Sequence, residues 1–124
     1  MLDRAAAEAF AAEWVAAWNA RDVEAVLSHF AAEARFTSPR AAQRVGTAVV
    51  EGKTALGAYW RLAAAQATSL HFVLDHVVWD EARQELVILY TNERDGQRTR
   101  ACEWLRFGPN GLAVEGAALY GAVY

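Results

Sequence analysis

Residues 14–30, WVAAWNARDVEAVLSHF, contain the strongest fold signal in the chain. Trp14 and Trp18 are four residues apart, and Phe10 lies four residues before them, so the three rings form one stripe on a helix. Asp22 is a good N-cap for a second, short helix, whose apolar residues recur at helical spacing. The stretch therefore predicts two consecutive helices that pack their apolar sides on a core.

The flanking sequence extends this pattern on both sides. Asp3 is placed to cap the first helix, which we expect to end near Asn19. Residues 34–37 and 45–50 predict two short strands, and Gly52 marks the beginning of a third helix. The apolar face of this third helix consists of Leu56, Tyr59, Trp60 and Ala63.

The second half of the chain is predicted to be sheet. Two long β-type segments, residues 70–79 and 85–94, are joined by a short polar connection. Asp95 and Gly96 form a strong hairpin signal, and residues 108–111, GPNG, form another. We therefore predict four antiparallel strands in a meander, which with the three helices gives an α+β fold.

Strand 85–94 is apolar on both faces, which a sheet with one face in water does not require. Short connections keep the helices on one face of the sheet, so the other face needs a different cover. A second copy of the chain is the expected partner, and we predict a homodimer through the outer face. The residues expected at this interface are Val87, Leu89, Cys102, Trp104, Arg106 and Leu119.

Composition excludes several classes of function. The 124 residues fit one domain, residues 1–124, and 55% of them are hydrophobic, enough for a sizeable core. The net charge of -3 and the absence of a Lys/Arg cluster argue against nucleic acid as a partner. The single cysteine allows no internal disulfide. The amino terminus lacks a signal-like apolar segment, and no apolar run is long enough to span a membrane. From these three observations we expect a cytoplasmic location.

Four stretches carry a family resemblance: WVAAWNARDVEAVLSHF, FTSP, VEGKTALGAYW and LRFGPNGL. In this order, with the meander behind them, they resemble the nuclear transport factor 2-like superfamily across nearly the whole chain. The chain is most similar to the polyketide cyclase-like (SnoaL-like) and ketosteroid isomerase-like branch. The resemblance implies a cone, in which a curved antiparallel sheet wraps around the helices and leaves a mostly apolar pocket open at one end.

The resemblance also places residues in that pocket. The helical side would contribute Trp14, Trp18, Phe30, Phe36, Ser38, Tyr59 and Trp60. The sheet would contribute Ile88, Tyr90, Asn92, Glu103, Ala118 and Tyr120. Strand alternation agrees with this assignment, because the sheet residues share the parity of an inward face. Plain core packing is the better explanation for any single aromatic ring, but together the rings predict an aromatic-walled cavity for a flat or apolar ligand.

The isomerase branch provides a test of catalysis. Its catalytic base is an aspartate before a proline, and its oxyanion donors are a tyrosine and a protonated aspartic acid. The matching positions here are Ser38, Trp14 and Glu103. A serine hydroxyl is a poor base at neutral pH and an indole cannot act as an acid, so this mechanism is not expected. Ser38 either opens a turn before Pro39 or contacts the ligand. The limonene epoxide hydrolase branch places an arginine between two acids, and no arginine is evident in that role here.

Glu103 is the lone carboxylate on a small and apolar strand face, and His76 is predicted on the inner face of the neighbouring segment. We predict these two as candidate catalytic residues, although a structural hydrogen bond would explain Glu103 equally well. His71 and His76 fall on opposite faces of one strand, so no metal site is expected. No phosphate loop or dinucleotide motif is present, and no cofactor is expected.

Two hypotheses of function remain open. The first is a pocket protein that binds a small hydrophobic or aromatic molecule inside the cone. The second is a proton-transfer enzyme, of cyclase, isomerase or dehydratase type, with Glu103 as acid or base. Two or more polar side chains converging beside Glu103 would favour the enzyme, and a single carboxyl already hydrogen-bonded within the protein would favour the binding protein.

Overall fold

The computed structural model describes all residues from Met1 to Tyr124. The helices are α1 (Arg4–Asn19), α2 (Val23–Leu27), α3 (Pro39–Val45) and α4 (Lys53–Gln66). The strands are β1 (Phe30–Thr37), β2 (Val49–Glu51), β3 (Leu70–Asp80), β4 (Glu85–Arg94), β5 (Gln97–Phe107) and β6 (Ala113–Val123). No helix is long and apolar enough to cross a membrane.

The first two helices begin at the predicted capping residues. The Asp3 carboxylate accepts a hydrogen bond from the Ala6 amide at 2.8 Å, and Asp22 accepts one from the Ala25 amide at 3.1 Å. These bonds satisfy amides that have no partner within the helix. The predicted aromatic stripe of α1 is buried: Phe10, Trp14 and Trp18.

The prediction of a strand over residues 45–50 is wrong for most of that range. Residues 39–45 form helix α3, and the strand is only Val49–Glu51, so the chain has four helices rather than three. Ser38 caps α3, Pro39 occupies its first turn, and Gly46 ends it in the left-handed conformation with φ of 81°. These are standard start and stop signals, and in this short segment they override the β propensity of the valines.

All six strands form one curved sheet in the order β2-β1-β6-β5-β4-β3. The predicted meander from β3 to β6 is confirmed, and each of its neighbouring pairs is antiparallel. Strand β1 joins this meander by pairing parallel to β6 and antiparallel to β2. The helices pack on the inner face of the sheet, as the predicted α+β fold class requires.

Gly116 lets the aromatic core approach the sheet. A Cβ atom at this position would lie 2.9 Å from side-chain atoms of both Leu105 and Phe36. Real Cβ atoms almost never come so close to a neighbour, so only glycine leaves room for the Phe36 ring against β6. Phe36 thereby reaches Trp60 of α4, with ring centroids 5.4 Å apart.

Candidate functional site

A narrow cavity opens between the helices and the inner face of the sheet. The cavity has a volume of about 50 Å³, which is enough for a few water molecules. A larger ligand therefore requires side chains of the cavity wall to move. The lining residues are Trp14, Trp18, Phe36, Ser38, Arg40, Arg44, Tyr59, Trp60, Ala63, Leu70, Phe72, Tyr90, Asn92, Arg94, Glu103, Ala118 and Tyr120.

The walls of the cavity are aromatic rings that pack on one another. Trp14 meets Tyr90 edge to face, with centroids 5.0 Å apart, and Phe72 lies 4.8 Å from the same tyrosine. Trp18 and Trp60 form a second edge-to-face pair at 5.8 Å. Such contacts hold each ring in place, so the cavity presents flat apolar surfaces of defined orientation.

Glu103 supplies a carboxyl group to the deep part of this cavity. Only 3% of the residue is exposed, and its side chain has no hydrogen-bond partner in the protein. Its cross-strand neighbours are Ile88 on β4 and Ala118 on β6, which are both apolar. Desolvation therefore raises the pKa of Glu103 well above its usual value. Burial therefore favours the neutral form of the carboxyl group, which can donate a proton or a hydrogen bond.

Two tyrosines face this carboxyl group. Burial raises the pKa of Tyr90 well above its usual value, and nearby Tyr120 and Glu103 raise it further. Burial also raises the pKa of Tyr120 to about 12, although the neighbouring Arg40 opposes that shift. Both phenols are therefore neutral at physiological pH, and neither is a ready base.

Two more buried polar atoms of cavity residues are unpaired. The indole Nε1 of Trp14 has no acceptor, and the amide Oδ1 of Asn92 has no donor. Both residues are only 2% exposed. Leaving a buried polar group unpaired costs about 1 to 3 kcal/mol, so two such atoms beside the Glu103 carboxyl need an explanation. The indole Nε1 of Trp79, which does not line the cavity, is also buried and unpaired.

Ser38 both caps a helix and lines the cavity. Its hydroxyl accepts a hydrogen bond from the Arg40 amide at 3.2 Å and so caps helix α3. The same hydroxyl lies 3.2 Å from the Tyr59 hydroxyl, and the two share a hydrogen bond. Ser38 is fully buried and lines the cavity, but no base is hydrogen-bonded to it.

The outer part of the cavity is basic. Arg40, Arg44 and Arg94 line it and are all partly exposed, unlike the deep residues. Burial lowers the pKa of Arg94, and the nearby positive charges of Arg44 and Arg40 lower it further. Arg40 also lies over the ring of Tyr120, 4.1 Å from its centroid.

Most of the predicted pocket residues lie around this one cavity. Those that line it are Trp14, Trp18, Phe36, Ser38, Tyr59, Trp60, Tyr90, Asn92, Glu103, Ala118 and Tyr120. Phe30 and Ile88 do not, and the prediction is wrong for them. Both are buried in the hydrophobic core: Phe30 packs on the ring of Trp60, and Ile88 is fully enclosed between the sheet and the helices.

The prediction for His76 is also wrong. A β-bulge between Leu74 and His76 shifts the register of β3, so the alternation of faces changes there. His76 is opposite Leu89, a residue of the outer face, and pairs with the exposed Asp75 at 3.5 Å. It is exposed and cannot meet Glu103.

Several cavity residues were missed, although their signals were present. Arg94 continues the inward parity of Tyr90 and Asn92 on β4, and Phe72 has the same parity on its own strand. Arg40 and Arg44 are four residues apart, which places them on one face of a helix. No helix is predicted from the sequence between the strands at 34–37 and 45–50, so these two arginines are not expected on a shared face.

A curved sheet with helices on its inner face and one aromatic-walled cavity defines the cone-shaped α+β pocket proteins. Within that class, the family model of the SnoaL-like domain matches residues 11–116, so this chain belongs to the SnoaL-like domain family. The resemblance seen in the sequence is thereby confirmed. A search of curated proteins gives no match.

Solved structures agree with this assignment. A SnoaL-like protein of unknown function from Burkholderia thailandensis is 33% identical, with a TM-score of 0.86 over 97% of this chain and 98% of that one. A protein of unknown function with a cystatin-like fold from Methylobium petroleophilum is 25% identical, with a TM-score of 0.80 over 98% of this chain and 79% of that one. The epoxide hydrolase/cyclase-like enzyme SalBIII has a TM-score of 0.78 and 19% identity over 98% of this chain and 95% of that one, and shows the shared fold alone.

Proposed function

We propose that this protein binds a small, flat, mainly apolar molecule with a carbonyl or hydroxyl oxygen inside the cavity. The observation that carries this proposal is a pair of buried polar atoms without a partner, Trp14 Nε1 and Asn92 Oδ1, which lie with the Glu103 carboxyl around one aromatic-walled space. A folded protein tolerates the cost of unpaired groups where a ligand supplies the missing partners.

The three groups set the polarity of the ligand. The Trp14 indole only donates a hydrogen bond, and the Asn92 carbonyl oxygen only accepts one. A neutral Glu103 donates through its hydroxyl and accepts through its carbonyl oxygen. A ligand with a carbonyl and a hydroxyl on a flat ring system satisfies this set, while its faces lie against the aromatic walls.

Trp14 and Trp79 provide a matched test. Both have a buried indole nitrogen without a partner, but only Trp14 lines the cavity. In each variant the indole is replaced by phenylalanine, and binding of acetophenone and of naphthol is followed by quenching of tryptophan fluorescence. We expect Trp14→Phe to weaken binding about tenfold through the lost hydrogen bond, while Trp79→Phe binds as the wild type does. Equal loss in both variants, or no binding by the wild type, would refute the proposal.

A second candidate is proton transfer by Glu103, which two observations favour. The carboxyl is buried with a raised pKa, and the side chains of Tyr90 and Tyr120 converge beside it, the arrangement expected of an enzyme. A neutral acid beside a ligand oxygen can give up its proton as negative charge develops there, and can take it back later in the cycle. Glu103→Gln keeps the shape and the hydrogen-bonding capacity but loses this proton. Proton transfer predicts that the variant still binds the ligand but no longer exchanges its acidic C–H hydrogens with solvent deuterium, as observed by NMR.

We also propose that a second copy of the chain covers the outer sheet face. Val87 pairs with Trp104 across β4 and β5, and Leu89 pairs with Cys102, so these side chains form a continuous patch. Leu119 extends it on β6 and is 52% exposed in the single chain. The patch is apolar and bordered by paired charges such as Arg106 with Glu115, a composition that suits a self-complementary interface.

A further inference from the structure

The charges around the cavity are unbalanced. The whole chain has 12 Lys and Arg residues against 15 Asp and Glu, yet the cavity is lined by three arginines and one acid. That acid, Glu103, is buried in the deep part and is poised to be neutral. Of the three arginines only Arg94 has a carboxylate nearby, that of Asp95, so the positive charges of Arg40 and Arg44 are not offset by an acid. Nearby like charges repel one another, and an anion that neutralises them is stabilising.

The three arginines differ in how they are held. Arg94 donates to the carbonyl oxygen of Ala63 at 2.9 Å and lies 3.8 Å from the Asp95 carboxylate. Arg44 donates to the side chain of Gln66 at 3.0 Å. Arg40 has no ion pair and no side-chain hydrogen bond, and its only specific contact is the stacking on Tyr120.

Arg40 is therefore the cation available to a ligand. Stacking on Tyr120 holds the guanidinium plane in position while its N–H donors remain free. The fork of an arginine matches a carboxylate in geometry and binds it through two parallel hydrogen bonds. The backbone amide of Arg40 donates a hydrogen bond to the Ser38 hydroxyl at 3.2 Å. Because Ser38 lines the cavity, this bond holds the first turn of α3, which contains Arg40, against the cavity wall.

We propose that the ligand is an aromatic carboxylate, whose ring enters the aromatic cavity and whose carboxylate binds Arg40 at the opening, with Arg44 and Arg94 adding positive charge. This inference rests on the proposed binding function and adds the chemical class of the ligand. The deep polar groups bind the oxygen at one end of the ring, and the arginines bind the anion at the other. The protein thus selects a molecule that is polar at both ends and apolar between them.

The test compares two ligands that differ only in charge: para-acetylbenzoate and its neutral analogue para-acetylbenzamide. Both have a carbonyl for the deep end and the same flat ring. Binding is measured by isothermal titration calorimetry to wild type, Arg40→Gln, Arg40→Lys and Arg35→Gln. Arg35 is an exposed arginine on β1 that does not line the cavity, so its variant controls for the change in net charge.

We expect wild type to bind the benzoate at least about tenfold more tightly than the benzamide, as a charge-assisted hydrogen bond requires. Arg40→Gln should abolish this preference, Arg40→Lys should retain part of it, and Arg35→Gln should retain all of it. Circular dichroism confirms that each variant is folded. Equal binding of the two compounds by wild type would overturn the inference and leave the proposed function standing. An equal loss of preference in Arg40→Gln and Arg35→Gln would also overturn it. Absence of binding by both compounds would count against the proposed function as well.

Discussion

The polar groups on the two faces of strand β5 differ in burial and in hydrogen bonding. On the outer face, Arg100 pairs with Asp75, Arg106 pairs with Glu115 at 3.2 Å, and the Trp104 indole donates to Glu85 at 3.1 Å. On the inner face, Glu103 is enclosed among apolar residues and has no partner.

This difference separates groups that serve the structure from groups that serve a site. The groups of the outer face could be left to water at little cost, yet these three are paired. The buried groups are costly to leave alone, yet Glu103, Trp14 and Asn92 are unpaired. The proposed ligand would supply the partners that Trp14, Asn92 and Glu103 lack, whereas the unpaired indole of Trp79 lies outside the cavity. The following predictions test the contrast between the two faces.

The largest effect is expected from removing a large side chain on the inner face. Leu105 is fully buried beside Gly116, and Leu105→Ala leaves a cavity there. We expect the free energy of unfolding to fall by about 2 to 5 kcal/mol in urea denaturation. Val73 on the outer face of β3 is 46% exposed, and Val73→Ala should cost less than about 1 kcal/mol. Similar losses in the two variants would show that the faces do not differ in packing.

The next prediction concerns the proposed association of two copies of the chain through the outer face of the sheet. Trp104→Asp places a carboxylate in the middle of the apolar patch, close to Glu85, and should prevent two copies from associating. Light scattering should give twice the chain mass for wild type and the chain mass for the variant. Arg35→Gln, at a distance from the patch, serves as the control. A wild-type protein that is monomeric at micromolar concentration would contradict the interface.

A smaller, pH-dependent effect is expected at Glu103. Because its pKa is raised in the folded protein, the folded state keeps a proton that the unfolded chain has already lost. Wild-type stability should therefore fall as the pH rises above the ordinary carboxyl pKa, until the folded-state pKa is passed. The loss amounts to about 1.4 kcal/mol for each unit by which the pKa is raised.

Glu103→Gln removes this titration, so its advantage over wild type should grow between about pH 5 and pH 8. The measurement is urea denaturation of both proteins across that range. The facing groups do not titrate there, because Tyr90 and Tyr120 have raised pKa values and the cavity arginines remain charged. A difference in stability that does not change with pH would show that Glu103 is not desolvated.

The smallest effect is expected at the exposed pair of Asp75 and Arg100. The Arg100 guanidinium lowers the pKa of Asp75 by a hydrogen bond, but both groups are in contact with water. Arg100→Gln should leave the urea midpoint unchanged within experimental error, because solvent replaces most of the interaction. A clear loss of stability would mean that the outer face depends on its ion pairs more than the comparison supposes.

Much of this architecture could be predicted from local patterns. The spacing of Phe10, Trp14 and Trp18 predicts the buried face of α1, and Asp3 and Asp22 predict where the first two helices begin. On β4 and β5 the alternation of side chains is regular, so parity alone places Tyr90 and Glu103 on the inner face. Hairpin signals between these strands preserve the register, which is why the prediction holds there.

The wrong predictions concern structural features that the alternation of side chains along a strand does not determine. The β-bulge next to His76 adds a residue to β3, and no residue type in that segment indicates a bulge. The segment from Ser38 to Gly46 contains helix start and stop signals, but the helix is short and is not predicted from the sequence; only its last residue, Val45, falls in the strand predicted over residues 45–50. The unpaired state of Trp14 and Asn92 depends on packing in three dimensions, and so only the structure reveals it.

The double role of Ser38 has a consequence for how new activities can arise in this scaffold. Serine and aspartate cap helices about equally well, so a single substitution to aspartate keeps the hydrogen bond to the Arg40 amide. It also places a carboxylate in the cavity wall, beside the Tyr59 hydroxyl. Evolution can thus exchange a hydroxyl for a potential base at this position without rebuilding the helix behind it.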